Sequence, residues 1–440
     1  MMTRLDLDRF CTKLDNALQG QMSSQVQAEL RITGWHYSVT EQEVTSIGLN
    51  ENRLGGPYAA PSSQRKLTGH LHLIWSDGSH TYTNFDRGIL EGDFQHWVKV
   101  WKHIAYTDPD EPDILPPQEY PEVKVYDPDI ANLPVQAHFA LIAQARRELQ
   151  GYGIENLDGQ SQSSVGQRMI RNSAGLNVSF HVTNRSFGFY ADNIYGKYFG
   201  KHRLPTEAEV QHLLTTVGQT TAQLKQPTTV PITSGKMPII LMPDVTGMFL
   251  QQYIGHNLEG SRVVEGHSAF TLEAFRAKEQ VFSPRLSVFI EPLRDYEYGT
   301  APCTNEGIPS KRLAVIKEGR LQTPLLNRKY AKKANLEPTP AGPLLIPREG
   351  SLSQLIGEID RGLLILSVLG LHSQNTTAGT YSVTADQALV IEQGRPRGKV
   401  KASIAGNLFA QLNSTDFDYG FDDYADYPGL RLLADVTIED

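Results

Sequence analysis

The stretch Leu250-Gln-Gln-Tyr-Ile-Gly-His-Asn-Leu-Glu-Gly-Ser261 sits just inside the second half of the chain. It belongs to a helix-like segment over residues 248–258, which follows a short apolar strand at 239–242 and a turn through 243–247. Two adjacent amides, Gln251 and Gln252, stand five and four residues before a lone imidazole, His256, and a carboxylate, Glu259, follows. No Gly-rich phosphate loop, no Gly-x-Ser-x-Gly elbow and no catalytic-cysteine context around Cys11 or Cys303 competes with this segment. It is therefore the first place to look for chemistry.

Downstream, Glu318-Gly319 between 312–317 and 320–325, and Gln393-Gly394 after 388–392, mark β-hairpins. Ser351 and Gln354 form a capping-box pattern that predicts a helix over 352–366, and the final stretch, around Asp416 to Asp426, is acidic and aromatic. Upstream, 226–238 is rich in Pro, Thr and Gly and follows neither periodicity, which places a domain boundary there: residues 1–226 and residues 227–440.

The first half opens with an amphipathic helix over 5–18, with Leu5, Phe10, Leu14 and Leu18 on one face. A hairpin follows from Leu67, with Leu71, Leu73 and Trp75 on one face, His70, His72 and Ile74 on the other, and a turn at Asp77-Gly78 before the second strand, 80–85. Seven prolines in 108–134 exclude a helix or a central strand and predict a surface connection. A helix over 135–149 repeats Val135, Phe139, Ile142, Ala145 and Leu149 at helical spacing; a strand covers 177–190; and Thr206 with Glu209 forms a capping box opening a helix to about 224. Helices and strands do not alternate as in parallel folds, so the class expected is α+β.

With 440 residues, 40% hydrophobic and 20% charged, the chain has ample material for two cores. A balance of 41 Lys+Arg against 49 Asp+Glu, net −8, opposes capture of nucleic acid or an anionic membrane. Two cysteines are too few for a disulfide framework or a cysteine-rich metal site, and no export or membrane-spanning signal is visible, so a cytoplasmic location is expected.

Residues 250–261 closely resemble the zinc-binding segment of the TldD/PmbA metalloprotease family. TldD members carry a His-Glu-x-x-x-His sequence followed by a Gly-Leu-Glu-Gly-Asp-like stretch; the histidines bind zinc and the glutamate is the general base. The resemblance places the first ligand on Gln251, the base on Gln252 and the second ligand on His256, so only His256 keeps its type. A carboxamide is a poor zinc donor, and Gln252 has no basic lone pair near neutral pH. The family's third ligand is a cysteine near the C-terminus, and none follows Cys303. Positions 251 and 256 are about 500° apart on an α-helix, so zinc-binding members need a distorted turn, for which Gly255 is suited.

Further likenesses run in the same order along the chain. They are Arg171-Asn-Ser-Ala-Gly175, Arg312-Leu-Ala-Val-Ile-Lys-Glu-Gly319, Gly379-Thr-Tyr-Ser-Val383, Ala388-Leu-Val-Ile-Glu-Gln-Gly394 and Ser403-Ile-Ala-Gly-Asn-Leu408, several of them nearest to the PmbA (TldE) branch. A TldD-like descendant that lost its metal is the other reading. The resemblance implies an N-terminal α/β domain with antiparallel sheet and helices, and a largely antiparallel C-terminal domain. It implies a metal-free TldE-like subunit of a cytoplasmic protease for unfolded peptides, with zinc in a TldD-like partner and no cofactor in this chain. His256 and Glu259 become candidates for the peptide cleft.

Other readings stand beside this one. A stand-alone metallopeptidase could use His256, His267 and a carboxylate, and a peptide-binding homodimer would need no metal. His70 and His72 are expected on the open face of their hairpin, and His96 and His103 on a helix packed by Trp97 and Trp101. Arg328, Lys329, Lys332 and Lys333 read as a solvated loop, and the acidic-aromatic end as surface turns.

Overall fold

A nineteen-residue strand, β1 (Ile32–Asn50), is the spine of the first sheet in the computed structural model, which describes residues 7–23, 25–55, 61–226 and 231–439. Around it lie β2 (Arg53–Leu54), β3 (Ser62–Trp75), β4 (His80–Phe85), β5 (Leu157–Asn172), β6 (Asn177–Ala191) and β7 (Tyr195–Lys201). The order is β4-β3-β1-β5-β6-β7 with β2 against β1, and every pairing is antiparallel. The expected hairpin is β3–β4, with Ile74 opposite His80 and Gly69 opposite Phe85.

On one face of β1, Tyr37 and Val39 point into one apolar cluster and Ile47 and Leu49 into another. Helices α1 (Leu7–Gln21) and α2 (Phe94–His103) cover one cluster; after the short α3 (Pro128–Ala131), helices α4 (Val135–Gln150) and α5 (Glu207–Leu224) cover the other. Phe10, Leu14 and Leu18 are buried as the periodicity requires, while Leu5 lies outside the described residues. Both halves of the capping box at Thr206 and Glu209 form. Helix α4 is rotated from expectation: Val135 and Phe139 face solvent, and His138 and Leu141 are buried. The strand beneath explains this, because Ser161 and Ser163 of β5 sit 3.0 and 3.1 Å from the His138 ring nitrogens and call for a polar partner.

The proline-rich connection crosses the opposite face of the sheet. Asn172 donates to the Leu115 carbonyl at 2.7 Å, and Tyr120 donates to Gly307 at 3.0 Å, tying this segment to the second half of the chain.

That second half starts with β8 (Gly235–Leu241) and α6 (Pro243–Phe249). The expected 243–247 turn is thus the first turn of a helix, with Pro243 where a missing N–H costs nothing. A small sheet, β11-β10-β9-β12, comprises β9 (Val288–Ile290), β10 (Leu313–Lys317), β11 (Arg320–Leu321) and β12 (Leu344–Leu345). The main sheet comprises β8, β13 (Arg361–Leu369), β14 (Thr380–Glu392), β15 (Arg395–Asn407), β16 (Asp418–Gly420) and β17 (Gly429–Glu439). Because β15 also pairs with β17, strands β15-β14-β13-β8-β17 close into a ring, antiparallel except for β8–β13. Both expected hairpin turns form with positive φ at both central residues, Glu318-Gly319 and Gln393-Gly394.

The helix expected over 352–366 stops at Gly357, and its apolar second half is β13. Leu363 and Ile365 enter one core while Leu364 and Leu366 enter another, so a strand buried on both faces shows no alternation to distinguish it from a helix. Among the described residues, no helix is long and apolar enough to cross a membrane.

Candidate functional site

From Pro243 the chain runs as one helix to Leu258, with its ring widened between Leu250 and Gly255 into a π turn. The His256 N–H donates to the Gln251 carbonyl five residues back, instead of four. Phe249, Leu250, Tyr253, Ile254 and Leu258 are buried in the C-terminal core, so this helix is held by its apolar side. Tyr253 donates to the Thr380 carbonyl at 2.9 Å. Asn257 gives its amide to the carbonyls of Tyr253 and Thr376, at 2.8 and 2.9 Å, and accepts from the Ala269 N–H at 2.7 Å. This clamp has no local signal in the sequence, because its partners lie up to 127 residues away.

The opposite, open side carries the candidate residues. Gln251 is exposed and Gln252 and His256 are half-buried; none makes a side-chain hydrogen bond with another described residue. Gly255 has an ordinary right-handed helical backbone (φ −55, ψ −52), so glycine is not required there for its dihedrals. It supplies room instead: a Cβ at this position would lie 3.0 Å from the Gln251 amide nitrogen. Glu259 is exposed, ends the helix with ψ 124, and bonds Ser261 Oγ at 2.8 Å with Arg262 3.4 Å away. Gly260 then docks its N–H on the Leu325 carbonyl at 2.8 Å.

As a zinc site this arrangement offers one imidazole and two carboxamides, whereas a catalytic zinc takes three protein donors of the His, Cys or carboxylate type. His267 is a surface residue with Glu265 at 4.0 Å, and it joins His256 in no group of three donors among the described residues. Cys303 is buried in a separate apolar cluster with Ile170, Leu176 and Val178, and Cys11 is on the buried face of α1. The residues present do not fit the metal.

One donor triad does form, where it was not expected. His72 is buried and not on an open face: its Nε2 is 3.0 Å from His80 Nδ1, with the Glu111 carboxylate within 4.8 Å of both. His70 behaves as expected, meeting Asn84 at the surface at 2.6 Å. Burial, with His80 alongside, pushes His72 down to about 3, and burial lowers His80 as well. Glu111 already accepts from Lys329 Nζ, Tyr106 and Tyr82, each at 2.8 Å. Burial raises its carboxyl, but those three donors outweigh burial and hold it below the usual range. Lys329 thus supplies the counter-charge of the Glu111 carboxylate, beside the hydrogen-bonded His72–His80 pair.

The basic cluster is correspondingly not a solvated loop. It is the Arg328–Ala334 helix, with Lys329 also 2.6 Å from Asp108, Lys332 donating to the Glu111 carbonyl at 2.7 Å, and Arg328 bonded to the Asp113 carbonyl. His36, the β1 residue opposite His72, adds a contact with the Asn305 carbonyl at 2.8 Å. These groups fasten the first sheet to the second half of the chain. Trp101 is buried as expected on α2, while Trp97 is partly exposed.

Comparison with known proteins agrees with this architecture. Residues 234–423 match the PmbA/TldA metallopeptidase C-terminal domain. A metalloprotease TldD homolog of Haemophilus influenzae is 28% identical over 189 residues, 40% of this chain and 39% of that protein. A metalloprotease PmbA homolog of Buchnera aphidicola is 27% identical over 185 residues, 41% and 40% of the two chains. The matched stretch thus spans less than half the length of these curated relatives. The crystal structure of TldE from Thermococcus kodakarensis superposes with a TM-score of 0.80 over 96% of this chain and 99% of its own, at 17% identity. A Thermotoga maritima structure gives 0.79 over 98% and 100%, at 20% identity, so the likeness in fold covers both halves.

Proposed function

We propose that this chain, which belongs to the PmbA/TldD metallopeptidase family through its C-terminal domain, is a metal-free, TldE-like subunit that holds unfolded peptide for a zinc-bearing TldD-like partner in the cytoplasm. The observation that carries the reading is the pairing of a retained wide turn with amide side chains. The i→i+5 bond between His256 and Gln251 is the geometry a two-histidine site on this helix requires, yet Gln251 and Gln252 supply neither a strong metal donor nor a base. Amides do offer a donor and an acceptor each, which suits the backbone of an extended peptide. Cleavage then belongs to the partner, where a zinc-bound water and a glutamate perform it.

The test is metal analysis and peptidase assay of the chain alone and after co-expression with a TldD-like chain. The chain alone is expected to contain no stoichiometric zinc and to leave unstructured peptides intact. The complex is expected to cleave them, and to stop when the partner's glutamate is changed but not when Gln252 is. One zinc per chain with chelator-sensitive activity in the isolated protein overturns the reading. Self-pairs that bind peptide but gain nothing from the partner favour a peptide-binding homodimer instead.

A further inference from the structure

A cleft of about 840 Å³ opens where β7 and the first turns of α5 face the 422–427 loop and the start of α6. This loop is part of the acidic-aromatic end of the chain, whose composition by itself suggests no more than surface turns. Tyr198 and Tyr298, 70% and 73% exposed, and the half-exposed Tyr424 all line this opening. Large aromatic rings collected at one opening and left to solvent mark a binding surface.

The charges around these rings select the occupant. Five carboxylates line the cleft against two lysines, Lys197 and Lys201. Most of the acids are answered locally: Lys197 holds Asp244 at 2.7 Å, Lys201 holds Glu209 at 3.3 Å, and Arg294 reaches Asp426 at 3.0 Å. Asp422 is not. Among the described residues its carboxylate forms no ion pair with lysine or arginine: Lys197 acts on it only through space, its Oδ1 accepts from the Tyr424 N–H at 3.3 Å, and the His212 ring lies 3.5 Å away and packs 4.6 Å from Tyr424. A carboxylate in a cleft that exposed tyrosine rings also line is an environment that holds an ammonium or guanidinium group, by ion pairing and by attraction to the ring faces.

We propose that this cleft is a specificity site that takes a basic side chain, arginine or lysine, of the bound peptide. The inference rests on the peptide-holding role above and adds the class of peptide preferred. Asp244 lines the cleft, and the exposed positions Asp244, Met248 and Gln251 step along one side of the helix toward the wide turn. Seven helical residues span about 10 Å, about three residues of extended chain, so one peptide reaches both places.

The experiment measures fluorescence anisotropy of three short, labelled, unstructured peptides that differ only at a central arginine, glutamine or glutamate, titrated with the full chain at low salt. The arginine peptide is expected to bind about tenfold more tightly than the glutamine one, with glutamate weakest. Asp422→Asn and Tyr298→Ala, both at the surface and checked for folding by circular dichroism, are each expected to erase most of that preference. Equal binding of the three peptides, or a preference that survives both variants, overturns the basic-side-chain assignment and leaves peptide holding intact. If no peptide binds, alone or with the TldD-like chain present, the peptide-holding role fails and this inference fails with it.

Discussion

The backbone N–H of His256 donates to the carbonyl of Gln251, one residue beyond the Gln252 carbonyl that an α-helix would use. That single displaced bond brings positions 251 and 256 one above the other on the open side of the helix. The buried side, pinned by Tyr253 on Thr380 and by Asn257 on Thr376, keeps the wide turn in place.

If the frame is intact, restoring a donor should restore metal affinity. Gln251→His is expected to give cobalt binding, read as visible absorbance, at least about tenfold tighter than the unchanged chain, while Gln251→Ala gives none. Absence of any cobalt signal in the histidine variant would show that positions 251 and 256 do not converge.

The two glycines flanking this turn should respond differently to alanine. In Gly255→Ala the new methyl meets only the movable end of Gln251, so stability should stay within about 1 kcal/mol of the original. In Gly260→Ala it would lie 2.6 Å from the Leu325 carbonyl oxygen, a backbone atom, and a loss of about 2–3 kcal/mol is expected. Urea unfolding of both variants measures the contrast; equal effects would contradict it.

Lys329→Met leaves the buried Glu111 carboxylate without its cation, and unfolding free energy should fall by about 3 kcal/mol. Lys329→Arg should recover part of that loss. A methionine variant as stable as the parent would mean that the network linking the two halves is not a source of stability.

Acid should weaken the fold from pH 6.5 downward. The ordinary histidine value is 6.5, and burial pushes His36 and His138 down to about 4 and His72 to about 3. Between those limits the unfolded chain binds protons that the folded chain refuses, so this stability is complete above pH 6.5 and is lost as pH falls toward 3–4. Three such groups give a slope of about 4 kcal/mol per pH unit near pH 5. Glu111, held below its ordinary 4.5, adds a loss of the same sign at lower pH. Urea titrations at several pH values give the slope, and His72→Gln should reduce it by about one proton's worth. An unchanged slope in that variant would place the effect elsewhere.

Features written in neighbouring residues are legible in the sequence itself. The capping box of Thr206 and Glu209, the Glu318-Gly319 and Gln393-Gly394 turns and the β3–β4 hairpin all form as expected, because each depends on groups within a few positions of one another. The departures have a common physical origin. Residues 361–369 carry no periodicity because both faces of β13 are buried, and His72 is buried beside partners 8 and 39 positions away, His80 and Glu111. The contacts of Lys329 with Asp108 and Glu111, across more than 200 residues, leave no local trace that separates a clamp from a solvated run.

The amino-acid sequence alone determined the α+β class and the amide character of positions 251 and 252, since side-chain chemistry and local turn propensity need no distant partner. The tertiary structure alone decided that the helix widens between those amides and His256, that a histidine pair gathers beside the Glu111–Lys329 ion pair, and that tyrosines from three separate segments line one cleft with Asp422. Each of these is a juxtaposition that packing, not propensity, decides, and for the last two the groups brought together lie far apart along the chain.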